Sequence, residues 1–426
     1  MTRFRLTLAA LLLALLAPAV AAVGRPECTL KGGETILFFG DSITQGGAYV
    51  EDVDAFLLTR FPDKPFRIIN AGISSETISG TSEPEHNPRR PWAHERFDRD
   101  VAAARPDILV ACFGMNDGNY YPFDRLRFEK YRAGVYRLID RCERIGTRTV
   151  FMTPPPFDPY RRRAGDPDAT HYGYRFPAID YDTTLEVYSQ FLLGLRAEGF
   201  IVADVHTATN ELLRERRKEK PSFFLAGDAV HPNATGHWLM AQPLLEALGV
   251  PGDVAAAEVD AKATDVRAGN VADLRHHGGG FAFTWTTPLP MPVDPGWDAR
   301  SLEIERTFQR LSRYTLKVTG LADGRWRLEA GGSPVAEVAA DALAGGIDLN
   351  TLEKWPTVAD ARKILQLIQK RRRTIYRAWR AALKTGRDGA GQEAIAKAEA
   401  DTAGLLDEAR RLARPRAIEV RIVPAK

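Results

Sequence analysis

At 426 residues the chain is longer than a single hydrophobic core usually grows, so two domains are expected. Its 44% hydrophobic and 27% charged residues fall in the ordinary globular range. A formal charge of +3 is too small for a nucleic-acid binder, and any basic patch must be local.

The first residues, MTRFRLTLAALLLALLAPAVAAVG, place Arg3 and Arg5 before an apolar run from Leu6 to Leu16, followed by the small residues Ala19 and Ala21. This is the pattern of a secretory signal peptide over 1–22, cleaved after Ala21 or Ala22. The run falls short of the roughly 20 apolar residues needed to cross a bilayer. A secreted or periplasmic protein with no membrane span in its mature form is therefore expected. Cys28, Cys112 and Cys142 can make one bridge at most and lack metal-ligand spacing.

Over 23–253 the apolar runs TILFFG, FRIINAG, DILVACFG, TRTVFMT and GFIVADVH alternate with stretches whose apolar residues recur three and four apart. Alternating strands and helices predict a parallel sheet covered on both faces, with ligands bound beyond the carboxyl ends of the strands. The pattern changes after the break at Gly249–Gly252. FAFTWTTP, YTLKVTGL and GRWRLEAGG read as antiparallel strands, and two long helical patterns follow at Val358 to Lys384 and Ala390 to Leu412, then a last strand AIEVRIVPA. The expected second unit, 254–426, is thus β-rich with a helical hairpin. The basic run Lys370 to Arg373 on its first helix reads as a solvated face.

The chemistry-bearing residues cluster at strand ends. ILFFGDSITQGG delivers Ser42 to a turn after the first strand, NAGISSET follows the second, GMNDG the third, and GDAVHPNATGH lies just before the last helix of the unit. A serine hydroxyl is a poor nucleophile unless a base lies within hydrogen-bond reach, and His231 has a suitable pKa. Asp228, three residues before it, can turn back to hold the other imidazole nitrogen. Pro232 restricts that turn, and the segment after it reads as a capped helix that anchors it. Asp41 and Asp117 are read as turn acceptors without a chemical step, His206 as a rim residue, and His237 as part of the following helix. No His, Asp or Glu cluster has metal spacing, and no cofactor is expected.

These four blocks, in this order, resemble the SGNH hydrolases, also called the GDSL esterase and lipase family, over roughly residues 34 to 250. The resemblance implies a flavodoxin-like, three-layer α/β/α sandwich with a five-stranded parallel sheet in the order 2-1-3-4-5. It implies Ser42 as nucleophile, Asp228 and His231 as its partners, and Asn116 as an oxyanion donor beside the Ser42 N–H. The second block departs from the family: Ser75 stands where a glycine normally supplies the third donor. A backbone N–H can come from serine if its φ and ψ suit a residue with a Cβ. Gly72 is the alternative.

Two insertions, from Ser79 and from Pro154, leave strand ends and can wall the site. They carry Trp92, Tyr160, Tyr172, Tyr174 and several arginines, suited to sugar rings and carboxylates. The leading expectation is a secreted serine esterase acting on small acyl esters, in particular O-acetyl groups on a carbohydrate. Its partner is a small-molecule or glycan ester, with no nucleic acid. A lysophospholipase or thioesterase, and a non-catalytic carbohydrate-binding or surface-assembly protein on a hydrolase scaffold, are the rival readings.

Overall fold

The computed structural model describes residues 28–161, 171–387 and 389–425; the expected signal peptide lies outside them. In chain order the first unit contains β1 (Thr35–Gly40), α1 (Ser42–Gly46), α2 (Ala48–Arg60), β2 (Arg67–Asn70), β3 (Ile108–Cys112) and α3 (Arg125–Arg144). It continues with β4 (Arg148–Met152), α4 (Tyr181–Gly194), β5 (Ile201–Ala203), α5 (Val205–Glu219) and α6 (Ala234–Ala247). The five strands are parallel in the order β2-β1-β3-β4-β5. Helices cover both faces. Alternate residues along β1 explain its unbroken apolar run: Ile36 and Phe38 pack toward α2 and α6, while Leu37 and Phe39 pack toward α3 and α4.

The remainder contains β6 (Asp253–Asp260), β7 (Asp265–Ala268), β8 (Val271–His277), β9 (Gly280–Thr287), α7 (Ala299–Ile304), α8 (Thr307–Leu311) and β10 (Arg313–Thr319). After these come β11 (Arg325–Ala330), β12 (Ser333–Ala339), α9 (Ala340–Gly345), β13 (Ile347–Asp348), α10 (Pro356–Leu383), α11 (Ala390–Asp401), α12 (Ala403–Ala413) and β14 (Arg416–Pro424). Two sheets form, in the orders β13-β10-β6-β7 and β12-β11-β14-β9-β8. Phe283, Trp285, Leu316, Leu328 and Val420 from both sheets share one core. Most pairings are antiparallel as expected, although β6 and β10 run parallel. The helical hairpin is present, with its second arm broken at Thr402 into α11 and α12.

The C-terminal residues return to the first unit. Trp297 stacks on Trp238 of α6 with ring centres 4.5 Å apart. Apolar residues of α10 and α12 pack on Ala55 and Leu58 of α2. Here the solvated-face reading of the basic run holds for the exposed Lys370 and Arg373 and fails for the other two: Arg371 and Arg372 are buried, and Arg372 bonds the Asp54 carboxylate and the Ile68 carbonyl. The run faces a neighbour that supplies a buried carboxylate, which composition alone does not reveal. Removing one member of such a pair strands the other's charge. Arg372→Met is expected to lower unfolding free energy by about 3–5 kcal/mol in urea denaturation, and Asp54→Leu/Arg372→Met to recover most of that loss.

Candidate active site

Ser42 opens α1 directly after the buried β1, with Asp41 as N-cap accepting the Ile43 N–H at 2.9 Å. Close packing fixes this edge. A Cβ on Gly72 would lie 2.2 Å from the Gln45 nitrogen, so the β2 loop can approach α1 only with glycine there. From the opposite side of the site, the turn before α6 folds back on itself. Asp228 Oδ1 accepts the Val230 and His231 N–H groups at 3.1 and 2.8 Å, with Ala229 at φ 74° between them. Asn233 caps α6 by accepting the Gly236 N–H, which fixes where this turn ends.

The two turns meet at His231. Its Nδ1 lies 2.6 Å from Asp228 Oδ2 and its Nε2 lies 2.8 Å from Ser42 Oγ. Tyr174 OH donates to the same Asp228 Oδ2 at 2.9 Å. Partial burial raises the Asp228 carboxyl, but the hydrogen bonds from the His231 ring and from the His231 and Val230 amides outweigh it and hold the group well below the usual carboxylate range. Asp228 is ionised at any working pH. The arrangement is a nucleophile, a base and a charged orienting group in unbroken hydrogen-bond contact.

Asn116 is buried beside them. Its amide nitrogen faces Asp41 Oδ2 at 3.3 Å and the Glu76 carbonyl at 3.2 Å, both long contacts. Its amide oxygen accepts from Arg90 Nη1 at 3.0 Å and from Tyr120 OH at 3.1 Å. Ser75 adopts φ 64°, the left-handed conformation for which glycine is the easiest residue. The Gly72 N–H donates to Asn70 Oδ1 at 2.9 Å and so already has an acceptor.

Asp117 accepts three backbone N–H groups, from Ile78, Ser79 and Gly114, in keeping with a turn-holding role. Burial raises the Asp41 carboxyl to about 7, with the Ile43 N–H pulling it down and Asp117 pushing it up. Because its folded pKa lies above the unfolded 3.8, the folded state holds the extra proton between these values. Its contribution to stability is therefore lost progressively as pH rises from about 4 to about 7. Asp41→Asn has no proton to lose. Whatever its constant offset, its stability relative to the parent is expected to rise on the order of a few kcal/mol between pH 4 and 8, measured by denaturation at each pH.

Of the four aromatic candidates the structure brings two together. Tyr172 and Tyr174 line a cavity of about 580 Å³ with Glu83, His86 and His171. Trp92 lies in a different cleft beside Arg99 and Lys384, its indole donating to the Ile78 carbonyl. Tyr160 sits under the Arg217 guanidinium at 4.5 Å. His206 contacts Asp182 at 3.1 Å and His237 lies buried in α6, both away from Ser42 Oγ contacts. Sequence reading missed Arg90, Glu83 and Tyr120; a buried Glu-Arg pair within an irregular insertion has no spacing rule to betray it. Among the described residues no group of His, Cys, Asp or Glu is arranged to hold a metal ion.

Residues 38–239 match the model of the GDSL-like Lipase/Acylhydrolase family. That stretch is a GDSL-like hydrolase domain. The acetylxylan esterase of Geobacillus stearothermophilus is 25% identical over 247 residues, covering 52% of this chain and 96% of that protein. A solved structure of that kind of esterase from the same organism aligns at 24% identity over 52% of this chain and 96% of its own, with a TM-score of 0.39. A gut microbial diltiazem-metabolizing enzyme aligns over 93% of this chain and 98% of its own length at 23% identity, with a TM-score of 0.75. The GDSL domain makes the protein a carboxylic ester hydrolase. The shared fold with the diltiazem-metabolizing enzyme runs through the C-terminal sheets as well.

Proposed function

We propose that this GDSL hydrolase is an exported serine esterase that removes O-acetyl groups from a carbohydrate through an acyl-enzyme. The observation that carries the reading is the chain of contacts from Asp228 through His231 to Ser42, at 2.6 and 2.8 Å. Ser42 Oγ attacks the ester carbonyl while His231 Nε2 takes its proton, and Asp228 stabilises the imidazolium. The developing oxyanion is received by the N–H groups of Ser42 and Ser75 and by the Asn116 amide, whose two resting contacts are weak enough for a full negative charge to displace one. Collapse expels the sugar hydroxyl, protonated by His231. Water then repeats the sequence on the acyl-enzyme and releases acetate.

The carbohydrate assignment draws on the polar, aromatic lining of the cavity beside Tyr174 and on the acetylxylan esterase relative. Export draws on the leader-like N-terminus. No helix among the described residues is long and apolar enough to cross a membrane. Rates on acetylated xylo-oligosaccharides and on p-nitrophenyl esters of graded chain length test the substrate, beside Ser42→Ala. Acetate is expected to exceed octanoate at least about tenfold in kcat/KM. A preference for long acyl chains overturns the acetyl assignment. N-terminal sequencing of protein from the producing cell should find Ala22 or Val23 first, and an intact Met1 overturns export.

A further inference from the structure

We infer that Arg90, held by Glu83, is a positioning residue of the oxyanion hole, aligning and polarising Asn116 and fixing the Ser75 peptide. The inference rests on the serine-esterase reading. The Arg90 side chain is 2% exposed and that of Glu83 3%. Arg90 Nε and Nη2 bind the two Glu83 oxygens at 2.5 Å each, a fork-on-fork pair that leaves Nη1 pointing away from the carboxylate. That nitrogen donates to an acceptor oxygen of both non-nucleophile residues of the hole: it lies 3.0 Å from Asn116 Oδ1 and 3.3 Å from the Ser75 carbonyl.

Each contact has a consequence. A guanidinium and the Tyr120 hydroxyl on the Asn116 oxygen leave the amide only one orientation, with its nitrogen toward the Ser42 side. The cationic donor also draws charge along the amide, so its N–H bonds become stronger donors in a buried site. At Ser75 the bond to the carbonyl holds the peptide that follows a left-handed residue, where serine has no intrinsic preference to stay. The insertion is tied to this loop by backbone bonds between Thr77 and Pro91 and between Ala93 and Thr77, which fix the placement of Arg90. Glu83 keeps the buried charge paired, and the pair's positive end faces the place where the oxyanion forms.

A single truncation of Arg90 strands Glu83, so the informative variant replaces both residues, Glu83→Leu/Arg90→Met, with Arg90→Lys as the version that keeps the charge and loses the fork. With p-nitrophenyl acetate, the paired variant is expected to lose about 10- to 100-fold in kcat with KM within about threefold, because the lost interaction acts in the transition state. Arg90→Lys should fall between the two. In an Asn116→Ala background the same replacement should cost clearly less than in the parent, since the route through Asn116 is gone and only the hold on the Ser75 carbonyl remains. Melting curves confirm that each variant is folded. A kcat unchanged in the folded paired variant, a change in KM alone, or an equal loss in both backgrounds overturns the inference. Ser42→Ala run alongside separates the failures: if it is inactive, such a result removes only the role of Arg90; if it is active, the esterase reading falls as well.

Discussion

Ser42→Ala and His231→Ala are each expected to lower kcat on the order of 10⁶-fold, and the double variant to be scarcely worse. The hydroxyl and the imidazole are 2.8 Å apart and operate as one device. Without His231 the serine has no acceptor for its proton, and without Ser42 the imidazole has no nucleophile to activate. What survives is the contribution of the oxyanion donors and of binding, on the order of 10³-fold over water. The measurement is single-turnover and steady-state hydrolysis of p-nitrophenyl acetate by freshly purified variants. Losses that add in the double variant, or more than about one per cent of activity in either single variant, sink the assignment.

Most of the site was legible because its parts are local. The Asp228 turn spans three residues, and the strands that deliver Ser42 and Asn116 are buried on both faces and so read as unbroken apolar runs. The Ser75 conformation was foreseeable only as a condition, that φ and ψ suit a Cβ, and at φ 64° Ser75 takes the left-handed conformation, which a residue with a Cβ holds at a cost that glycine does not have. Other features depend on pairing across the chain. Tyr376 OH donates to the Gly72 carbonyl from 304 residues away and Arg372 reaches Asp54 from 318, and no periodicity within α10 says which face meets α2. The break in the hairpin is local but subtle. Thr402 Oγ1 donates back to the Ala398 carbonyl at 2.6 Å, a side-chain bond that competes with the helix in a stretch of otherwise continuous helical pattern.

Asp228→Asn is expected to cost about 10⁴-fold in kcat while leaving the fold intact, and the geometry gives the reason. The Asp228 Oδ1 position accepts two backbone N–H groups, from Val230 and His231, so in the variant the amide oxygen belongs there. The amide nitrogen then falls where Oδ2 faces His231 Nδ1 at 2.6 Å. A donor at that point requires Nδ1 to be the acceptor, which puts the ring proton on Nε2, against Ser42 Oγ. The imidazole is present and correctly placed but in the tautomer that cannot take the serine proton. Tyr174 OH, which donates to Oδ2 in the parent, can turn to accept from the new amide and so does not oppose this orientation. Tyr174→Phe alone should therefore cost less than about tenfold, because Asp228 keeps its charge and its bonds to the His231 ring and backbone. The check is kcat at neutral pH for both variants, with ring-nitrogen NMR of His231 to read the tautomer. An Asp228→Asn variant that keeps kcat within about tenfold, or that loses it with the proton still on Nδ1, overturns the tautomer argument.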